Sequence, residues 1–370
     1  MTEIRKIVKK DIPALLENVA FWKQSFLPIS RHRLYAHYKN PSTDEDDVVL
    51  LLALADDEVV GYMGVFIEKI TLNGISDKIG WLSTWWVHPK TKGTGIGREI
   101  LNTMYDINGG KIGISQFTPS AKRVYDKSGY FTTLKENHGI KAVLKSNTAF
   151  LMPVAYPKTK PLKIFFRLTD AIINVPIAVK LYFSKKAIAR ELLGISLEYM
   201  TAIDPETQQI IETFQGNRFS KRNAAFFEWL KAYNWVQEAP LLEYTQKEKY
   251  EFSIYDKSFA IYLVKILKND SCLGFIVLQR RNKTLKVLYG FYDKTRHSNV
   301  VANIIKQHAI VQNCNEIICY EADLCENFKE SGIFLYTRKK LKQSIISKVF
   351  NKTDFSDVSM SFGDGDCSFA

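Results

Sequence analysis

A glycine-rich segment, VHPKTKGTGIG, joins a predicted strand directly to a predicted helix between Val87 and Gly97. Its glycines stand at the alternate positions 93, 95 and 97, so the backbone can turn tightly and bring successive N–H groups close to a ligand. The N–H groups at the helix start and the positive end of the helix dipole favour a pyrophosphate there. The segment therefore predicts a phosphate-binding loop, and the fold must place that loop between a strand and a helix.

The elements around this loop exclude two common nucleotide-binding folds. Residues 48–55 (VVLLLALA) and 59–67 (VVGYMGVFI) predict a β-hairpin, and residues 79–88 (IGWLSTWWVH) predict a third strand. The loop lacks the GK[ST] ending of a Walker loop, and a Rossmann loop would follow the first strand of a βαβ unit. A helix is predicted over residues 10–25, and a helix, strand, helix and strand follow the loop. This order indicates an α/β fold with a mixed sheet.

In this setting, two motifs resemble those of the GNAT acyltransferase superfamily. The central GNAT motif has a hydrophobic residue, a turn with Pro, then Arg or Gln, two residues, Gly, one residue, and Gly or Ala. Its counterparts here are Val87, Pro89, Lys90, Lys92, Gly93, Gly95 and Gly97. A second motif, Asn-x-x-Ala-x-x-x-Tyr-x-x-x-Gly-Phe, is similar in spacing to Thr118, Ala121, Tyr125, Gly129 and Tyr130. Thr replaces the motif's Asn and Tyr replaces its Phe, and the resemblance extends over about residues 1–150.

The resemblance implies that acetyl-CoA is the co-substrate and that the acetyl group passes to an amine. It also implies that the backbone of Trp86 and Val87 pairs with the pantetheine arm, and that the backbone amides of residues 92–97 hold the pyrophosphate. The implied cofactor-binding residues are Trp86, Val87, Lys92, Gly93, Thr94, Gly95, Ile96, Gly97, Thr118 and Ala121.

The catalytic roles follow partly from the same resemblance. Tyr125 stands where many members carry the general acid that protonates the leaving thiolate, and a phenol suits that task. A core tyrosine is the alternative. The general base is less defined, because the strand IGWLSTWWV carries no carboxylate. Glu68 on the preceding strand is the nearest acidic candidate, with Ser83 and Thr84 as proton relays.

The second half of the chain repeats this order of elements without the glycines. The apolar runs FAIYLVKIL and LGFIVLQ, the strand TLKVLYGFYD and the helix SNVVANIIKQHAI follow one another as their counterparts do earlier. Between Asp293 and Asn299 the sequence reads DKTRHSN, so we expect no second phosphate site. The repeat predicts tandem GNAT-like domains, each a central mixed sheet flanked by helices. The predicted boundaries are residues 1–152, a linker with amphipathic helices at 153–198, and a degenerate domain at 199–370.

The predicted linker bears on membrane contact. Its apolar residues are interrupted by Arg167, Asp170, Pro176, Lys180 and Lys185. No uninterrupted apolar run is therefore long enough to span a membrane. We expect one or two amphipathic helices that pack on both domains; the alternative is an interfacial helix that touches a membrane. The N-terminus has no apolar h-region or cleavage site, so the expected location is the cytoplasm.

Charge and cysteine content limit the partners. The formal net charge of +12 would suit nucleic acid or an anionic membrane, but the lysines are spread along the chain. We therefore expect a solvated basic surface and no nucleic-acid partner, while the GNAT resemblance implies a small-molecule amine as the partner. The five cysteines include no CxxC pair and no His at ligand spacing, which predicts reduced thiols and no metal. The sequence leaves the oligomeric state undetermined.

Three functions remain open at this point. The leading hypothesis is an N-acetyltransferase in which an amine attacks the thioester directly; the alternatives are an aminoacyl transferase similar to the Fem group and a non-catalytic acyl-CoA-binding scaffold. An aromatic wall suited to a sugar or an aryl amine is predicted from Tyr62, Phe66, Trp81, Trp85 and Trp86, and an amino sugar is the first acceptor that we expect. In the tail, Asp364 and Asp366 would either contact a polar acceptor or lie in a frayed terminus.

Overall fold

The computed structural model describes residues 2–24, 27–72, 75–91, 93–233, 256 and 258–369. Up to residue 143 the elements are β1 (Thr2–Val8), α1 (Ile12–Glu17), α2 (Val19–Trp22), α3 (Arg31–Tyr38), β2 (Val48–Ala55), β3 (Glu58–Leu72), β4 (Ile75–Val87), α4 (Ile96–Ile107), β5 (Ile112–Ile114), α5 (Pro119–Ser128) and β6 (Phe131–Val143). The remaining elements are α6 (Thr148–Ala155), α7 (Lys163–Glu191), β7 (Ile195–Met200), α8 (Pro205–Phe214), α9 (Ala224–Ala232), β8 (Ala260–Lys268), β9 (Ser271–Arg281), β10 (Thr284–Tyr292), α10 (Lys294–Val311), β11 (Glu316–Cys319), α11 (Ala322–Lys329) and β12 (Tyr336–Ser347).

The chain divides into two compact units whose boundaries differ from those predicted. The first unit comprises residues 1–137, 201–259 and 342–370, and the second comprises residues 138–200 and 260–341. The predicted linear division at 152 and 199 differs from this grouping, in which the described residues of 201–259 and 342–370 join the N-terminal residues. Sequence periodicity predicts local elements, whereas tertiary contacts decide which core each element joins.

The sheet of the first unit has the strand order β1-β2-β3-β4-β5-β12. Strands β1 to β4 form an antiparallel meander, and β4 then pairs in parallel with β5. Strand β2 is almost wholly apolar because both its faces are buried: Leu50 and Leu52 pack in a cluster with α1, α2 and α3, and Leu51 and Ala53 pack in one with α4 and α5. The sheet thus has helices on both faces, as the predicted mixed α/β layer requires. Strand β1 was not predicted.

A β-bulge interrupts β4 at Thr84. Met63 pairs with Trp85 and Gly64 pairs with Ser83, so Thr84 is the extra residue, and its φ is +48°. Such a bulge moves the following side chains to the opposite face of the strand. Trp81 accordingly packs against Phe219, with ring centroids 5.7 Å apart, whereas Trp85 lies in the cluster on the α4 side.

The second unit repeats this architecture with the strand order β6-β11-β10-β9-β8-β7. Strands β7 to β10 are antiparallel, and β10 pairs in parallel with β11, as β4 pairs with β5. The pairing of β10 with β9 shifts register between Val287 and Tyr289, so a bulge again lies in the strand that precedes the long helix. The predicted duplication of a mixed sheet flanked by helices is confirmed.

Helix α7 is a single helix of 29 residues in the second unit and continues through Pro176. One of its faces is buried, and Ile177, Leu181 and Ile188 belong to the core of that unit. Across the described parts of the chain, no helix combines the length and apolar character needed to cross a membrane.

Candidate active site

The glycine-rich segment forms an open loop at the start of α4. Gly93 and Gly95 have φ angles of +91° and +94°, and a Cβ atom added to either would meet no other atom within 4 Å. Gly95 is the N-cap residue of α4, and no side chain caps the helix. Only glycine adopts such backbone angles without strain, and the uncapped first turn points its N–H groups out of the helix end. This geometry fits a phosphate group. The predicted contact of Lys92 lies outside the described residues.

The neighbouring residues hold this loop against β4. The Thr94 hydroxyl donates a hydrogen bond to the Thr91 carbonyl oxygen at 2.7 Å, and Ile96 is buried in the core. A Cβ atom at Gly97 would lie 3.3 Å from the Trp85 ring and 3.4 Å from a Val87 methyl group. The glycine at position 97 therefore permits α4 to pack closely on β4.

Strands β4 and β5 pair over a short stretch only. Their described register consists of Gly80 with Ile112 and Trp81 with Gly113. Farther along β4, Trp86 pairs with Tyr62 and Val87 with Gly61, both on β3. Beyond Trp81, the edge of β4 that faces away from β3 has no partner strand in the described pairings. Its backbone groups can therefore pair with an extended ligand, which fits the predicted role of Trp86 and Val87.

Helix α5 holds Tyr125 beneath this edge. The Thr118 side chain caps the helix by accepting a hydrogen bond from the Ala121 N–H at 3.2 Å. Tyr125 is buried, and its ring centroid lies 5.4 Å from that of Trp85 and 5.4 Å from that of Phe131. Burial, together with the negative charge of Asp366, raises the pKa of the Tyr125 phenol above its usual value of 10. The phenol is therefore protonated at neutral pH and can act as a hydrogen-bond donor.

Ser83 lies between a guanidinium and a carboxylate. Its hydroxyl accepts a hydrogen bond from Arg33 Nη2 at 2.7 Å and donates one to Asp366 Oδ2 at 2.6 Å. The other carboxylate oxygen of Asp366 accepts a hydrogen bond from the Ser115 hydroxyl. Asp366 is partly exposed, whereas Ser83, Arg33 and Ser115 are buried. The structure thus brings a solvent-accessible carboxylate to the bulge of β4, close enough to Tyr125 to perturb its pKa.

Glu68 belongs to a separate, enclosed group of charges. Its Oε1 lies 2.5 Å from Arg222 Nη1, and its Oε2 accepts a hydrogen bond from Trp81 Nε1 at 2.6 Å. Asp364 Oδ1 lies 3.4 Å from Arg222 Nη2. Burial raises the pKa of Glu68, and the Arg222 guanidinium opposes that rise. The predicted role of Glu68 as the base remains a prediction, and these contacts favour a role in holding Arg222 and Trp81.

The tail is packed in the first unit. Asp364 and Cys367 are buried, and Lys342 Nζ donates a hydrogen bond to the Phe362 carbonyl oxygen at 2.9 Å. A Cβ atom at Gly365, where φ is +70°, would lie 2.6 Å from Ser115 Cβ. Glycine at position 365 therefore lets the tail approach β5 closely and places Asp366 beside the bulge.

Sequence reasoning did not identify Arg33, Ser115 or Arg222, because none belongs to a recognisable motif. Each lies far along the chain from its partner, because Arg33 contacts Ser83, Ser115 contacts Asp366, and Arg222 contacts Glu68 and Asp364. Of the predicted aromatic wall, Tyr62, Phe66 and Trp81 are at most 1% exposed. Those three rings form core rather than an open surface for an acceptor.

The corresponding position of the second unit is capped. Asp293 precedes α10 and its carboxylate accepts hydrogen bonds from the N–H groups of Thr295 at 3.0 Å and Arg296 at 3.2 Å. The carboxylate occupies the donors that a phosphate would need and repels a second anion. The start of α10 therefore lacks the free N–H groups that the start of α4 offers to a phosphate.

Sequence comparison with known proteins gives matches to part of the chain. Residues 3–133 match the family model of an acetyltransferase (GNAT) domain. An aminoglycoside N(6')-acetyltransferase type 1 from Stenotrophomonas maltophilia is 37% identical over 59 residues, which are 16% of this chain and 39% of that protein. The match thus spans about two fifths of the length of this relative.

Two solved structures resemble nearly the whole chain. N-myristoyltransferase of Saccharomyces cerevisiae with bound myristoyl-CoA has a TM-score of 0.51 at 8% identity, covering 93% of this chain and 82% of that one. A conserved protein of unknown function from Enterococcus faecalis V583, described as a probable N-acyltransferase, has a TM-score of 0.50 at 8% identity, covering 94% and 72%. At this identity the similarity shows a shared fold.

Proposed function

We propose that this protein is an N-acetyltransferase that uses acetyl-CoA and lets an amine attack the thioester directly, and the match of residues 3–133 to the acetyltransferase (GNAT) family model supports this proposal. The observation that carries the proposal is the uncapped start of α4, behind an open loop whose two glycines have positive φ angles. This loop lies at the end of β4, where the strand has parted from β5. A pyrophosphate and an extended pantetheine arm fit these two features together.

The cofactor would be held mainly by backbone groups. The N–H groups at residues 93–97 would bind the pyrophosphate, and the open edge of β4 at Trp86 and Val87 would pair with the pantetheine arm. Thr118 and Ala121 at the start of α5 would line the other side of the cleft. Bound acetyl-CoA would supply an acetyl group activated as a thioester.

The chain's own side chains would move two protons. As the amine nitrogen bonds to the carbonyl carbon, its proton would pass to the Asp366 carboxylate, either directly or through Ser83, 2.6 Å away. As the carbon–sulfur bond breaks, Tyr125 would give its phenolic proton to the sulfur. The proton on Asp366 would then return to the Tyr125 phenolate through water, so the protein would end the cycle unchanged. Such general acid–base steps each contribute about 10²–10⁴-fold to the rate.

Asp366 and Tyr125 would act in sequence because their charges interact. The negative charge of Asp366 contributes to the raised pKa of the Tyr125 phenol. When Asp366 accepts the amine proton, this charge disappears and the phenol becomes a stronger acid. Proton uptake from the amine would therefore assist proton donation to the departing sulfur.

For the acceptor we propose a primary amine on an amino sugar. The support is the partial match to an aminoglycoside acetyltransferase, together with the carboxylate of Asp366, which would attract an ammonium group. The rings of Tyr62, Phe66 and Trp81 are buried, which leaves Trp85 and Trp86 as the partly exposed members of the predicted wall.

Acetyl-CoA binding tests the cofactor assignment directly. Calorimetry and thermal unfolding would be measured for the native chain, Gly95→Trp and Gly216→Trp. Gly216 is a matched control because its φ is also positive, at +53°, and no atom lies within 4 Å of its Cβ position. A side chain at either position costs about 1–2 kcal/mol of backbone strain. Only the change at Gly95 would obstruct the loop.

Saturating acetyl-CoA at about a hundred times its dissociation constant should stabilise the native chain and Gly216→Trp by about 2.7 kcal/mol. The Gly95→Trp variant should fold but gain no such stabilisation. Equal stabilisation of both variants would remove the loop from the binding site, and no binding by the native chain would overturn the proposal. Thiol release with glucosamine, an aminoglycoside and an amino-acid amide would then rank the acceptors.

A further inference from the structure

Helix α7 exposes a continuous apolar face on the second unit. The face consists of Ile164, Leu168, Ile172, Val175, Val179 and Phe183, and each of these side chains is more than half exposed. At about 100° per residue, the six project from one sector about 100° wide and extend for roughly 29 Å along the helix. We call this set the α7 apolar face.

The rest of the helix shows that this exposure is not a general lack of packing. Ile177, Leu181 and Ile188 on the opposite side are buried in the core of the second unit. An amphipathic helix of a globular protein has one apolar side, which it buries. Helix α7 has two, and large exposed apolar patches mark interaction surfaces.

The first half of α7 also lines a basic cavity, with side chains that project outside the sector of the α7 apolar face. The cavity has a volume of about 450 Å³, and its lining includes the four cations Lys145, Lys163, Arg167 and Lys283. Partial burial and the like charge of Lys283 lower the pKa of Lys145. The acidic residue of the lining is Asp170, whose carboxylate accepts hydrogen bonds from the Ser146 hydroxyl and from the N–H groups of Thr148 and Ala149. That carboxylate is committed to the start of α6, so the cavity favours an anion.

We propose that α6 and α7 dock the protein on an anionic phospholipid membrane. The α7 apolar face would lie in the plane of the interface with its side chains among the acyl chains. The cavity lined by Lys145, Lys163, Arg167 and Lys283 would receive a lipid phosphate. An interfacial helix requires these same two features, an apolar face and flanking cations. The proposal does not depend on the acetyl-transfer reaction.

Charge favours a membrane over a second copy of the chain as the occupant. Residues 148–193 carry eight basic and two acidic residues. Two copies meeting through this surface would bring like charges together, whereas an anionic bilayer neutralises them. The chain as a whole has a formal net charge of +12, which adds to this attraction.

Vesicle flotation tests the proposal with the full-length chain. Vesicles of phosphatidylcholine alone would be compared with vesicles that also contain phosphatidylglycerol. The apolar test variant is Leu168→Gln with Ile172→Gln, and its control is Val19→Gln with Leu341→Gln, two side chains that are also more than half exposed. The charge variant is Lys163→Gln with Arg167→Gln, and its control is Lys339→Gln with Lys352→Gln, which are exposed lysines outside the cavity.

The native chain should partition more strongly onto the anionic vesicles. The apolar variant should lose at least tenfold in partition coefficient per substituted side chain. The charge variant should lose about fivefold per cation on anionic vesicles and little on neutral ones. Both control variants should bind like the native chain.

Three results would overturn the proposal. The first is no vesicle binding by the native chain, and the second is equal binding by the apolar variant and its control. The third is a dimer of the native chain in sedimentation velocity that the apolar variant abolishes, without vesicle binding by either, which would assign the α7 apolar face to a second copy.

Discussion

Replacement of Asp366 by Asn removes the carboxylate beside the β4 bulge while keeping the size of the side chain. In the native chain this carboxylate accepts hydrogen bonds from the hydroxyls of Ser83, at 2.6 Å, and Ser115. The Asn carbonyl oxygen can still accept from Ser83, but the amide cannot take a proton from an amine. If Asp366 is the general base, kcat should fall by about 10²–10⁴-fold, equivalent to about 3–5 kcal/mol of transition-state stabilisation.

The cost to folding should be smaller and separable. The two hydrogen bonds that the Asp366 carboxylate accepts would be lost or would involve a neutral acceptor. Each change should cost about 1 kcal/mol, so the free energy of unfolding should fall by no more than about 2 kcal/mol. Ser83→Ala keeps the carboxylate and removes one of its donors, so its loss in kcat should be well below that of Asp366→Asn. Asp357→Asn in the same tail, where the residue is exposed, should leave both quantities unchanged.

The assay measures steady-state acetyl transfer to the best acceptor of the amine screen at saturating acetyl-CoA. The reaction is monitored through the free thiol that it releases. Urea denaturation of each variant would be measured in parallel. A kcat for Asp366→Asn within threefold of the native value would refute the role of Asp366, provided that acetyl-CoA binding is retained. A proportional fall in kcat and stability across all three variants would indicate a purely structural role for the tail.

Three further predictions concern other buried groups. Tyr125→Phe should lower kcat about 10²–10⁴-fold with acetyl-CoA and much less with an acetyl thioester of an acidic thiol, because that leaving group needs no proton; equal losses with both donors in the same assay would exclude the acid role. Arg222→Leu removes the cation that contacts the buried carboxylates of both Glu68 and Asp364, and it should lower the free energy of unfolding in urea by about 3–5 kcal/mol. Adding Glu68→Gln and Asp364→Asn should partly restore that free energy. Burial and Arg280 lower the pKa of His308 to about 4, so the unfolded state alone binds this proton between about pH 6.5 and 4. The free energy of unfolding should therefore decrease as the pH is lowered through that window. The contribution of His308 should be about 2 kcal/mol smaller at pH 5 than at pH 7.5. His308→Gln should remove this difference, as measured by urea denaturation at the two pH values.

The local elements and the glycine-rich loop before α4 could be predicted from the sequence because their signals lie close together in the chain. Strands β2 and β3 and helices α4 and α10 follow from apolar periodicity, and the loop follows from glycines at alternate positions. The absence of glycine after Asp293 predicted that the second unit has no such loop, and the structure adds that Asp293 itself caps the helix. The role of Tyr125 rested on the resemblance of its motif to that of the GNAT acyltransferases, and it stays a prediction.

Tertiary structure alone decided which segments join which core and which carboxylate reaches the candidate site. Asp366 meets Ser83 across 283 positions of the chain, and no periodicity or motif encodes a contact at that distance. The bulge at Thr84 decided that Trp81 and Trp85 lie on opposite faces, because a single extra residue reverses the alternation of side chains along a strand. The apolar residues of α7 and the charges that interrupt them follow from the sequence, whereas only packing decided which of its two apolar sides is buried. The sequence pattern predicts local helices and strands, because their signals lie within a few residues of one another. The pairing of distant segments depends on the free energy of the whole core.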